Sequence, residues 1–422
     1  MKTMALIIFI LTYVLLLSFA KYRHFIALSS AALFIILGIL PISKVMSAID
    51  WNVLLMIIGT MGVVNLFIES KMPSLLADKI IDKTPNVKWA TVFLALFAGI
   101  ISAFVDNVAT VLMVAPIAVT ISKKLNISPV PSVICIAISS NLQGAATLVG
   151  DTTSILLGGY ADMNFLDFFV FHGKPGMFWI VEIGAIISAI VLLYLFRDEK
   201  QPIHSLEKTV VTDYFPTVLL VGIIVLLITA SFVENKPATT NGLICMALFF
   251  IGLVRKLIKV KDFKVVSDAF KEIDYTTILL LAGLFLVIGG ITEAGLVQDI
   301  GKIFVNLSGD NLFVIYSLIV WVSVALSAVI DNIPYIATML PVVSEIALLL
   351  GIDPYILYFG LLVGATLGGN ITPIGASANI TGIGILRAEG YEVPVKTFMK
   401  YSVPFTLSAV LSGYALVWII WS

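Results

Sequence analysis

Apolar runs divided by short polar turns set the pattern of this chain. Residues 4–20, 24–41, 51–69, 176–196, 213–233 and 401–421 each reach or approach the roughly 20 apolar residues that a membrane-spanning helix needs. With the runs between them, the pattern predicts about ten spanning helices and no soluble domain of any size. The run 4–20 reads as the first of these helices. Ser18-Phe19-Ala20 loosely resembles a cleavage site, but only Lys2 precedes the run and a second apolar run follows at once.

The polar interruptions repeat. Ser102-Ala103-Phe104-Val105-Asp106-Asn107 aligns with Ser327-Ala328-Val329-Ile330-Asp331-Asn332, and the same shift carries Pro116 onto Pro341, Gly144 onto Gly369, Thr147 onto Thr372 and Gly150 onto Gly375. Asp50-Trp51 matches Asp274-Tyr275 within one residue of that shift. The chain is therefore read as a first repeat over 1–196, a polar linker over 197–212 and a second repeat over 213–422.

Lys and Arg collect in short loops on the cytoplasmic side. Lys21, Arg23, Lys71, Lys123, Lys124, Arg197 and Lys208 mark inside loops of the first half, and Arg255, Lys256, Lys259, Lys271, Arg387 and Lys400 those of the second. This threading runs 51–69 inward and its counterpart 276–292 outward, so the repeats are expected to be inverted. Segments 90–122 and 311–350 then become re-entrant hairpins with Asp106-Asn107 and Asp331-Asn332 at their tips, followed by broken helices over 130–158 and 355–385. The fold class expected is all-α and polytopic, with two inverted repeats.

Composition agrees with this reading. The 422 residues are 60% hydrophobic and 12% charged, at a mean hydropathy of +1.09, which requires a lipid bilayer as surroundings. The expected location is the cell inner (plasma) membrane, in several passes. A net charge of -1 gives no sign of nucleic acid, and no phosphate-binding or dinucleotide motif points to an enzyme. Cys135 and Cys245 lie in apolar runs and read as buried thiols. His24, His172 and His204 are expected in loops and make no metal site. Most tryptophans fall near predicted helix ends, as interfacial anchors do.

Chemistry concentrates in the breaks. Irregular backbone at membrane depth persists where protein or a water-filled cavity satisfies its polar groups, and inverted repeats place transport sites there. The candidate binding residues are Asp106, Asn107, Thr110, Asn141, Thr147, Asp151, Thr152 and Thr153 in the first repeat. In the second they are Asp331, Asn332, Asn370, Thr372, Ser377 and Asn379, with Gly144, Gly150, Pro334, Gly369, Pro373 and Gly375 supplying the backbone breaks. A carboxylate at the bilayer centre costs about 2.5 to 3.5 kcal/mol, and no Lys or Arg lies in the same spans to neutralise Asp106, Asp151 or Asp331. They must be protonated, hydrated or paired with a bound cation. H+ or Na+ is thus the expected coupling ion, with Na+ sites possible near Asp106/Asn107 and Asp331/Asn332, and no other cofactor. The plainer alternative is that the aspartates only cap helices.

The runs Ser102 to Pro116, Ser327 to Pro341 and Gly368 to Gly384 resemble the ArsB/NhaD permeases of the ion transporter superfamily. That group includes arsenite pumps, sodium/proton antiporters, the P protein and, more distantly, citrate carriers. The resemblance implies a homodimer in which a transport domain moves against a scaffold. In the carboxylate carriers each hairpin tip reads Ser-Asn-Thr; here Asn107 and Asn332 match and the flanking hydroxyls do not. The aspartates in their place argue against citrate or succinate. The expected function is proton-coupled export of a small inorganic ion or neutral metalloid acid such as arsenite, by a secondary transporter and not an enzyme. The alternatives are a sodium/proton antiporter and a sodium-coupled carboxylate carrier.

Overall fold

The computed structural model describes residues 1–202, 209–309 and 311–422. His204 and Lys208 fall outside them. The first half of the chain comprises α1 (Lys2–Ser18), α2 (Arg23–Ile36), α3 (Ile42–Ala48), α4 (Trp51–Glu69), α5 (Met72–Ile81), α6 (Val87–Ser102), α7 (Asn107–Lys124), α8 (Val130–Gly144), α9 (Thr152–Tyr160) and α10 (Met177–Leu195). The second comprises α11 (Phe215–Ser231), α12 (Thr240–Val260), α13 (Lys264–Lys271), α14 (Tyr275–Glu293), α15 (Leu296–Ser308), α16 (Leu312–Ser327), α17 (Asn332–Leu350), α18 (Tyr355–Leu362), α19 (Ser377–Ala388) and α20 (Val395–Trp421). One short antiparallel ribbon, with Val170 opposite Pro175 and Phe171 opposite Lys174, departs from the otherwise helical fold.

By length and composition, six helices among the described residues can cross a membrane: α4, α7, α10, α14, α17 and α20. The expected count of about ten differs because several apolar runs are cut by polar turns or stop short, as α6, α8 and α11 do. Ile186 and Ile190 on α10, and Val218, Val221 and Val225 on α11, are exposed, as suits side chains solvated by lipid tails.

Corresponding helices of the repeats exchange partners. α4 packs on α12 and α14 packs on α2. Gly59 and Gly283 allow these contacts: a Cβ would lie 2.4 Å from the Cys245 carbonyl carbon at Gly59 and 2.7 Å from that of Ala27 at Gly283. Small residues let backbones meet this closely, and packing of this kind replaces the hydrophobic drive that lipid does not supply. α4 and α14 lie antiparallel. The Asn65 amide donates to the Glu272 carbonyl at one end (3.2 Å), and at the other Ala48 abuts Gly289. Both helices open on an aspartate cap, Asp50 accepting from the Val53 amide (3.0 Å) and Asp274 from that of Thr277 (3.1 Å).

Three sequence expectations need correction. His24 lies in the first turn of α2, not in a loop. Pro334 does not break a helix: it sits in the first turn of α17, where no intrahelical donor is required. Trp418 and Trp421 pack inward against Tyr316 and Phe359, because α20 lies against α18 as well as against α10 and α8.

Candidate functional site

Two helix starts and two broken helices build the site. Asp106 caps α7, its carboxylate accepting from the Val108 (3.0 Å) and Ala109 (3.1 Å) amides. Asp331 caps α17 in the same way, accepting from Ile333 (3.2 Å). The positive end of each helix dipole therefore faces a carboxylate, so the capping and binding readings are compatible for this pair.

Each tip is tied to its own broken helix by matched contacts. Thr147 donates to the Ala103 carbonyl and Thr372 to that of Ala328. Behind each break, Ser154 donates to the Gly144 carbonyl, and Asn379, at the corresponding position, donates to that of Gly369. At Gly150 a Cβ would stand 2.6 Å from the Gly144 oxygen and 2.7 Å from that of Ser102; at Gly375 it would stand 2.6 Å from both the Gly369 and Ser327 oxygens. Only glycine lets the strand between half-helices lie this close to the tip. Thr110 donates to the Val105 carbonyl and faces the protein interior. Thr110, Thr147, Thr372 and Asn379 thus bond to backbone and hold the breaks, as do Gly144, Gly150, Gly369, Pro373 and Gly375, which lie at or within them.

A buried amide network joins the two repeats. The Asn141 carbonyl oxygen accepts from Asn107 (3.0 Å) and from Asn332 (3.4 Å), one from each tip. The Asn141 amide donates to the Thr366 carbonyl (2.8 Å) and the Asn370 side chain (3.0 Å). Thr366 in turn donates to Thr153 (3.1 Å), which donates to Asp151 (2.9 Å). Buried amides and hydroxyls satisfied in this way fix both tips relative to one another.

In front of the network lies a cavity of about 260 Å³, lined among others by Asp106, Asn107, Asp151, Thr152, Asn332 and Ser377. Its far end reaches Asn65, Glu272 and Asp274. On the opposite side of the molecule a vestibule of about 610 Å³ is lined by Asp50, Asp162 and Lys236. In that vestibule burial lowers the Lys236 ammonium below the usual lysine range, partly opposed by Asp167.

Arg23 corrects the charge balance read from sequence. Its guanidinium donates to Asp331 Oδ2 at 2.8 Å, and Ser377 donates to the same oxygen at 3.2 Å. The side chains are 16% and 4% exposed, so this ion pair is well shielded from water. Arg23 opens α2, and an arginine stem is long enough to carry its charge from that turn to the tip.

Residues 6–364 match the family model described as CitMHS, citrate transporter. The chain belongs to this family. The transporter is 29% identical over 432 residues to an uncharacterised transporter of Mycobacterium bovis, covering 99% of this chain and 98% of the relative. It is 27% identical to the mouse P protein, over 92% of this chain and 56% of that one. In fold it is similar to the crystal structure of the YdaH transporter of Alcanivorax borkumensis, with a TM-score of 0.61, 14% identity and coverage of 89% and 87% of the two chains. The transporter's family is thus fixed at the citrate transporter level, coarser than the ArsB/NhaD branch that its motifs resemble.

Sequence reasoning missed Arg23, Thr366, Glu272 and Asp274. Thr366 stands one repeat on from Asn141 and the shift alone would have named it. Asp274 was visible as the counterpart of Asp50, without any sign that it faces a cavity.

Proposed function

We propose that this secondary transporter exchanges protons for a small, uncharged, hydroxyl-rich inorganic solute of the arsenous acid kind, moving the solute outward. The supporting observation is the set of polar groups that line the 260 Å³ cavity beside its apolar walls: carboxylates, amides and hydroxyls, with the Arg23 guanidinium already committed to Asp331. Such a lining hydrogen-bonds a neutral hydroxylated solute without a counter-charge. Asp106 and Asp151 face the cavity with no cationic side chain bonded to either among the described residues, and a carboxylate in that position is a natural proton carrier.

The inverted arrangement of the repeats belongs to the same proposal. Antiparallel α4 and α14, with Asp50 at one vestibule and Asp274 at the other, support access alternating between two faces. The cavity then opens toward the basic, cytoplasmic face.

A second reading is sodium/proton antiport. Asp106, Asp151 and Thr152 line a common narrow recess, where one cation and a proton would compete for the same oxygens. Citrate, named in the family's description, would meet Asp106 and Asp151 and find Arg23 already paired, so it would need to carry its own cations.

Proteoliposomes with an imposed pH gradient test the reading. Gradient-driven arsenite flux is expected, falling at least ~10-fold in Asp106→Asn and Asp151→Asn, the equivalent of about 1.4 kcal/mol. Sodium-dependent proton movement without arsenite flux would establish the antiporter instead.

A further inference from the structure

The two hairpin tips are equivalent by sequence and by capping, yet their carboxylates have different partners. Asp331 Oδ2 holds the Arg23 guanidinium at 2.8 Å and the Ser377 hydroxyl at 3.2 Å. Around it, among the described residues, α1 contributes Tyr13, bonded to Pro334 and Thr338, its own helix contributes Tyr335, and Asp151 lies within electrostatic reach across the cavity. Asp106 receives two backbone amides and no cationic side chain among the described residues, while Asp151, Asp274 and Glu272 share its cavity. The position matching Asp151 in the second repeat is Ala376. The Asp106 side of the pseudo-symmetric pair therefore has four carboxylates and an open cavity, and at the other tip Asp331 is paired with a cation supplied by the chain.

We propose that Arg23 is a tethered cation that fills the Asp331 half-site, so that only the Asp106 half-site takes a mobile cation during transport. Arg23 thereby sets the number of coupling ions per cycle. An arginine suits this task because it keeps its charge throughout the accessible pH range and its planar fork matches a carboxylate. The inference rests on the cation-coupled reading above, and deepens it by assigning the coupling number to a residue outside both hairpins.

The test uses the full-length protein, purified in detergent, with melting temperature followed against sodium at constant ionic strength and, separately, against acidity. For wild type the limiting slope of stability against the logarithm of cation concentration is expected to correspond to about one bound cation; in Arg23→Gln, where Asp331 is released, it should rise toward ~2. Arg23→Lys should behave as wild type, and Arg23→Gln/Asp331→Asn should return to first order. An R23Q curve that superimposes on that of wild type overturns the proposal. If R23Q cannot be purified at low cation, its recovery by raised sodium or acidity supports the proposal, and failure of both overturns it. Flux measurements separate the two readings. The thermal pattern without cation-driven flux would sink the transport reading and keep the Arg23 assignment; cation-driven flux without the pattern does the reverse.

Discussion

Asn141 is fully buried and, among the described residues, is the one side chain hydrogen-bonded to both tips, accepting from Asn107 and Asn332 while donating to Thr366 and Asn370. Asn141→Ala removes four hydrogen bonds and leaves buried amides and carbonyls without partners, each worth about 1–3 kcal/mol. The expected outcome is a melting temperature lowered by several degrees together with loss of flux, measured by thermal shift and proteoliposome uptake. Asn141→Asp keeps the acceptor and loses both donors, so it should lose flux as well. Wild-type flux in either variant would show that the network is not needed to hold the tips. Asn141 was legible in the sequence because a polar residue before a glycine-rich break has few reasons to sit in an apolar run. Arg23 was not. Positive residues between spans are explained by topology alone, and nothing in one sequence tells which of Lys21 and Arg23 turns inward. Asp331 was legible as a costly carboxylate, and its partner, 308 positions away in sequence, was not.

The polar interruptions were the features most readable in advance, for a physical reason: duplication presents each twice, and a glycine, proline or aspartate that recurs at one shift stands out against an apolar background. The helical path is interrupted between α8 and α9 and between α18 and α19. Pro334 misled because proline both starts and breaks helices, and its neighbours do not say which. At this scale the close approach at Gly150 and Gly375 makes a pointed prediction. Gly150→Ala or Gly375→Ala places a methyl within 2.6 Å of a carbonyl oxygen of the facing half-helix, on backbone that cannot move aside cheaply. Overpacking of this kind costs typically about 1–3 kcal/mol. Each variant should therefore melt lower and transport less, while Gly384→Ala, with nothing within 4 Å, serves as a control that does neither. Equal melting of all three would mean that the tips ride loosely on their breaks.

For the whole molecule, the question is whether antiparallel repeats in one chain become opposite accesses across one membrane. The cavity under Asp106 ends near Ile68 and Glu272, whereas the vestibule at Asp50 includes Ser47 and Thr239. Behind Asp50 a recess of about 180 Å³ is lined mostly by apolar side chains, among them Leu156, Phe285, Ile288, Ala337 and Leu340, with Asp50 and Tyr160 as its polar members. On the proposed reading, this mostly apolar recess closes access from the vestibule while the cavity under Asp106 gives access from the other end. The two native thiols are buried, so a membrane-impermeant maleimide should label wild type little. Ile68→Cys and Ser47→Cys should then be labelled from opposite sides of the membrane in oriented vesicles, Ile68→Cys from the side where the basic loops collect. Ala337→Cys, in the closed recess, should be unreactive at rest and become reactive from the Ser47 side when a gradient drives the alternate state. Labelling of Ile68→Cys and Ser47→Cys from a single side would show that the repeats are antiparallel without being inverted across the bilayer. The alternating-access part of the proposal would fall with that result, while the amide network and the Arg23 pair, which rest on side-chain geometry alone, would stand.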